Sequence, residues 1–275
     1  MIIDTHTHVY PEKIAKAVEE MAVKDVAEEA KLYGPITIAG LLSSMERNGV
    51  DISIAFCLAE RPEVVRAAND FLIESCDRKR LFGLGTMHPD FEDYGAEINR
   101  LWSSDVKGIK WSSLFQGFRL DDERMFRLYE AMGDDMIAYF HMGRGPAKHA
   151  EHDNSTPDKL ARVLEAFPKM KVVAAHFGGF KMLEEVKKQL IGKNLYLDTA
   201  WSPSISELDP ALVADIIREH GPDKILFGTD YPFCDARKEI EAVSKLPLSD
   251  ENKELIFWKN AKELFGLKID RQTEP

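Results

Sequence analysis

The chain has little of what would staple or anchor a fold. Its 275 residues hold three cysteines, Cys57, Cys76 and Cys234, an odd number at wide spacings with no CxxC pair. A disulfide scaffold is therefore excluded, and free thiols in a reducing, cytoplasmic setting are expected. No run reaches the roughly 18 apolar residues that a membrane-spanning helix needs. The opening MIIDTHTHVY has no basic segment leading into an apolar one, so no cleaved leader is expected. Positive charge is in deficit: 36 Lys and Arg against 47 Asp and Glu leave a net charge of −11. Such a surface repels phosphate backbones and anionic lipid heads, so neither nucleic acid nor a membrane is an expected partner. A small anionic substrate is not excluded, because it responds to the local field of a pocket.

What is present is the mixture of an ordinary globular protein, 44% apolar and 30% charged. The length admits one or two domains, and α/β barrels run to about 250 residues as one unit. One pattern repeats along the chain: a short apolar run followed by a longer segment of helical period. The strand candidates are Ile2–His8, Asp51–Leu58, Leu81–Met87, Val106–Ser112, Met136–Met142, Lys171–His176, Asn194–Ala200 and Lys224–Asp230. Helical patterns such as Pro62–Arg78, Asp121–Gly133, Thr156–Phe167, Lys181–Ile191 and Asp209–His220 lie between them. Strand alternating with helix implies parallel pairing, and eight such units predict an α/β fold, a single-domain (β/α)8 TIM barrel over residues 1–275. Pro11–Tyr33 is too much chain for the first crossover and reads as a helical insertion after strand 1, broken at Gly34–Pro35, with Ile38–Asn48 as the crossover helix. Gly143–Asp158 is a long polar loop after strand 5. Asp250–Gly266 reads as a closing helix with Ser249 as its N-cap.

The chemistry sits at strand ends. Asp4, His6 and His8 occupy alternate positions of the first strand, so their side chains share a face, and two imidazoles so placed can share a metal ion. His141 lies near the end of strand 5, His176 ends strand 6 and Asp230 ends strand 8. Barrel active sites form at these ends, and the spacings of 133, 35 and 54 residues from His8 through His141 and His176 to Asp230 suit whole βα units. Each residue alone could be hydrogen-bonded or capping. Together they would leave costly unpaired polar groups unless a metal or a catalytic network occupied them.

DTHTH, His141, AHFGG around His176 and GTDYPF around Asp230 resemble the amidohydrolase superfamily, and more closely its amidohydrolase-related branch of decarboxylases and metal-dependent hydrolases. The resemblance extends to the closing KNAKELFGL. It implies that His6, His8, His141 and Asp230 hold one divalent metal, most often zinc with manganese as the other candidate, while His176 acts as acid/base. Asp230 is then a ligand, the group that receives a proton, or both in turn. Lys110 stands on strand 4, where binuclear superfamily members carry a carboxylated lysine between two metals. A second metal, an ammonium paired with a carboxylate or substrate, and an outward-snorkelling stem all remain open for it. Arg144, Lys148, His149 and His152 give the strand-5 loop positive character suited to a substrate carboxylate, or simply a solvated surface. Trp111 and Trp201 could wall a flat substrate or pack, His88 could line the pocket, and Cys57 and Cys234 read as buried, inert thiols. The leading expectation is hydrolysis of a small amide, lactone or ester; the alternative is non-oxidative decarboxylation of an aromatic or unsaturated acid. A homodimer fits the resemblance, although no interface signal appears in the sequence.

Overall fold

The computed structural model describes residues 1–26, 31–145 and 152–269. Eight parallel strands form one sheet in sequence order: β1 (Ile3–His8), β2 (Ile52–Phe56), β3 (Leu81–Thr86), β4 (Gly108–Trp111), β5 (Ile137–Phe140), β6 (Lys171–Ala174), β7 (Tyr196–Asp198) and β8 (Ile225–Leu226). The chain after β8 bonds back to β1: Thr5 N donates to Phe227 O at 2.9 Å and His8 N to Tyr231 O at 2.8 Å. Helices follow the strands: α1 (Glu12–Val26), α2 (Ile38–Asn48), α3 (Val65–Ser75), α4 (Tyr94–Ser103), α5 (Ser113–Gln116), α6 (Glu123–Met132), α7 (Pro157–Ala166), α8 (Leu183–Gln189), α9 (Pro210–His220), α10 (Ala236–Ser244), α11 (Asp250–Glu254) and α12 (Asn260–Leu264). The fold is a (β/α)8 barrel with the expected extra helix, α1, after β1. Among the described residues no helix is long and apolar enough to cross a membrane.

The chain divides into two compact units, residues 1–55 with 77–82 and 196–275, and residues 56–76 with 83–195. In the first unit, Thr37 caps α2 by accepting from Gly40 N, and Gly49 ends it in the left-handed region at φ 70°. Gly34 is required by close approach, since a Cβ there would lie 2.6 Å from the Tyr231 hydroxyl, which donates to Pro35 O. Asp209, Asp235 and Ser249 cap α9, α10 and α11 with their side chains. The closing helix is interrupted by a π turn over Leu255–Lys259.

The eighth strand is shorter than its apolar run predicts. Phe227 N donates to Ile256 O, Gly228 N to the Thr199 hydroxyl and Thr229 N to the Asp4 carboxylate, so its donors leave the ladder for other partners. In the second unit the register of β4 on β5 pairs Lys110 with Tyr139 and Trp111 with Phe140. Asn69, Thr86 and Glu97 form a buried network beneath β3, and Glu97 is held below the usual carboxylate range by Arg100 and Asn69 despite the opposing effect of burial.

Candidate metal centre

In the first unit the side chains of β1 meet the ends of β7 and β8. His6 Nδ1 lies 2.8 Å from Asp198 Oδ2, both groups being buried. Asp198 accepts a second hydrogen bond, from Ala200 N at 3.1 Å, through its other oxygen. A carboxylate at Nδ1 holds the His6 proton there and leaves Nε2 as a lone pair. That lone pair lies 3.3 Å from Asp230 Oδ1, and His8 Nε2 lies 3.2 Å from the same oxygen.

As ion pairs, these contacts would need both imidazoles protonated at Nε2, and His6 charged while buried. A shared cation needs neither, because all three atoms then act as acceptors. Two ligands bound at about 2.0–2.1 Å in tetrahedral geometry stand roughly 3.3–3.4 Å apart, which is the spacing observed. Donor atoms of His6, His8 and Asp230 all lie within 4.8 Å of one another. The donor set therefore fits a divalent ion.

Asp4 shares the β1 face but is fully engaged elsewhere. It accepts from Thr229 N, the Thr229 hydroxyl and His6 N. Burial pushes its carboxyl up to about 7 against these hydrogen bonds. Asp4 thus braces the end of β8 against β1. Asp230 itself sits in the left-handed region at φ 61°. Such a conformation costs of order 1–3 kcal/mol and persists where surrounding contacts fix it.

In the second unit His176 Nε2 lies 3.0 Å from His141 Nδ1, with the rings edge to face at 4.7 Å between centroids. His176 (φ 58°) and Phe177 (φ 51°) are both left-handed, which ends β6 abruptly and turns the chain off the sheet at the histidine. Lys110 is buried on β4. Its Nζ stands 4.8 Å from the Phe56 ring centroid and 4.4 Å from that of Tyr139, which rules out the outward-snorkelling stem.

Trp111, the next residue, faces the opposite way and packs edge to face on Phe118 and Tyr129 of the helix layer. Its ring is committed to packing there rather than to walling a substrate. Trp201 is buried after β7, and its carbonyl accepts from the Cys234 thiol. Cys57 and Cys234 are free and buried, and burial pushes the Cys57 thiol up to about 12 and Cys234 well above the usual thiol range. Arg144 is exposed, with its backbone N bonded to Phe180 O. His152 turns its ring onto Asn154. Lys148 and His149 lie outside the described residues. His88 is buried, its Nδ1 accepts from Asp90 N, and burial lowers its pKa.

Sequence reasoning missed Asp198. Its signal was available, an acid at the end of an apolar run (YLDTA), the same signature that singled out Asp230.

Residues 3–267 match the family described as Amidohydrolase. None of the curated proteins compared with the chain matches it. Among solved structures, the chain is similar to 5-carboxyvanillate decarboxylase LigW from Sphingomonas paucimobilis, with a TM-score of 0.74 at 18% identity over 97% of this chain and 99% of that one. It is similar to the 5-carboxyvanillate decarboxylase of Novosphingobium aromaticivorans complexed with manganese and 4-hydroxy-3-methoxy-5-nitrobenzoic acid, with a TM-score of 0.71 at 18% identity over 97% and 96%. A third similar structure is 2,6-dihydroxybenzoate decarboxylase complexed with 2,6-dihydroxybenzoate, with a TM-score of 0.74 at 17% identity over 97% and 99%. Matched over nearly its whole length, the chain belongs to the amidohydrolase family.

Proposed function

We propose that the chain is a metal-dependent, non-oxidative decarboxylase of a small aromatic or unsaturated acid, acting as one barrel domain. The observation that carries the reading is the convergence of His6, His8 and Asp230 on one set of donor atoms, with Asp198 fixing the His6 tautomer. The sequence alone put hydrolysis first. The ranking reverses here because the similar solved structures include decarboxylases of hydroxylated aromatic acids, two of them with such an acid bound.

His6, His8 and Asp230, with His141 as the fourth ligand that the family resemblance implies, are the residues we assign to hold the ion. Manganese in a similar structure supports a divalent ion and puts manganese beside zinc as a candidate. When bound, such an ion supplies a Lewis acid that anchors and polarises an anionic oxygen. The rest falls to the chain's own side chains. Losing CO2 leaves an electron pair on a carbon, which must receive a proton in its place. With its Nε2 toward the ion, His141 would keep its proton on Nδ1 and offer it as a hydrogen bond to His176 Nε2, 3.0 Å away. His176 would then carry its own proton on Nδ1, and His176 and Asp230 are the groups assigned to deliver the one proton to the carbon. Lys110 is the cation assigned to the acid's charge.

The test is purified protein loaded with manganese or zinc, incubated with hydroxylated benzoic acids alongside lactones and amides, and read by CO2 release and mass spectrometry. Loss of CO2 from at least one acid is expected. Cleavage of a lactone or amide with no CO2 from any acid would replace the reading with hydrolysis. Failure to retain the ion after loading would remove the site.

A further inference from the structure

The polar residue immediately beyond β4 has no role in the reading above. Ser112 is 3% exposed, and its hydroxyl has no hydrogen-bond partner among the described residues. Buried hydroxyls are nearly always bonded, and an unsatisfied one lowers stability unless it serves something else.

Its direction follows from the strand. Ser112 is still extended, at φ −136° and ψ 92°, so the alternation of β4 continues through it. Trp111 packs on Phe118 and Tyr129 in the helix layer. Ser112 therefore shares the opposite face with Lys110, one step further toward the strand end. The register brings in a second neighbour. Lys110 pairs with Tyr139 and Trp111 with Phe140, and His141 N donates to Trp111 O at 2.9 Å, so Ser112 runs alongside His141.

The backbone here is also held firmly. Ser112 N donates to Gln116 Oε1 at 2.9 Å, and the Gln116 amide donates to Ala59 O at 2.7 Å and Met87 O at 2.6 Å. One buried glutamine thus ties the chain after β4 to the chain after β2 and after β3. An unbonded hydroxyl on so fixed a backbone, between a lysine and a histidine assigned to the metal, is preorganised to donate to an anionic oxygen.

We infer that Ser112 is a substrate-binding residue, its hydroxyl donating to an ionised oxygen of a carboxylic acid whose charge Lys110 balances. The inference rests on the metal-centre reading above, which supplies the role of His141. It names a specificity element: the site prefers a ligand with an ionised oxygen over its uncharged ester.

The test uses manganese-loaded full-length protein and the probe 3,4-dimethoxybenzoate, which has no phenol, with its methyl ester as the uncharged control, by titration calorimetry. Ser112→Ala should keep its manganese and match or exceed the wild type in thermal midpoint, because it removes an unsatisfied buried group. Its affinity for the acid should fall about tenfold, with the ester unaffected, and Ser112→Thr should recover part of the loss. A hydroxyl with a purely structural role would give a lower midpoint and unchanged affinity, and that result overturns the inference. Equal affinity of wild type and Ser112→Ala for the acid overturns it as well. If the wild type itself retains no ion, the metal-centre reading falls and this inference falls with it; if it retains the ion but binds no acid, this inference alone is overturned.

Discussion

Asp198→Asn exchanges one carboxylate oxygen for an NH2 group and should disable the ion site. Asp198 uses both carboxylate oxygens as acceptors, Oδ2 toward His6 Nδ1 at 2.8 Å and Oδ1 toward Ala200 N at 3.1 Å. An amide has only one oxygen. With the oxygen toward Ala200, the NH2 faces His6 and forces its proton from Nδ1 to Nε2, the nitrogen that lies 3.3 Å from Asp230. Turned the other way, the NH2 meets the Ala200 N–H and the local turn opens. The first arrangement occupies the lone pair an ion requires. Replacing carboxylates behind metal-ligating histidines typically costs 10–100-fold in affinity, or about 1.4–2.7 kcal/mol. Manganese titration should register that loss, with circular dichroism showing a folded barrel. Affinity within twofold of the wild type would refute the tautomer argument and recast Asp198 as packing.

Further outcomes follow from the same geometry. His141→Ala should lose the ion, whereas His176→Ala should keep it and lose turnover, by metal analysis beside CO2 release; equal metal loss in both would make His176 a ligand. Glu239, buried with its Oε2 accepting from Ile205 N, is pushed up to about 7 by burial. Its protonated form is the one the fold favours, so its contribution is complete below the ordinary value of 4.5 and is lost as pH rises through about 7, a change of about 3 kcal/mol. Melting curves from pH 5 to 8 should show Glu239→Gln gaining on the wild type as pH rises, and parallel curves would contradict the assignment. Arg144→Ala should raise KM for an acid substrate about tenfold and leave metal content unchanged, if the exposed guanidinium captures the carboxylate; an equal effect on a neutral ligand would return Arg144 to ordinary surface.

The alternation of short apolar runs with helical patterns carried the barrel, because the period of 2 in a strand and 3.6 in a helix is written locally. The same strand-end rule singles out His6, His8 and Asp230, whose donor atoms do lie close together, and His141 and His176, whose rings do touch. Other features depended on partners far along the chain. Asp198 is 192 residues from His6, and nothing around YLD distinguishes an acid that orients a histidine from one that caps a turn. Asp4 shares the face of His6 and His8, yet Thr229 engages its oxygens, and only the pairing of β1 with the chain after β8 decides that. Nothing in the run VKGIKW says which of the neighbours Lys110 and Trp111 turns to the helix layer. The register of β4 sent the indole to the helix layer and the ammonium between two rings. Apolar content could not set the length of β8, because side chains and a π turn take its donors. A sequence fixes which residues alternate along a strand, while tertiary pairing decides which of them meet, since a hydrogen bond depends on distance in space and not on distance along the chain.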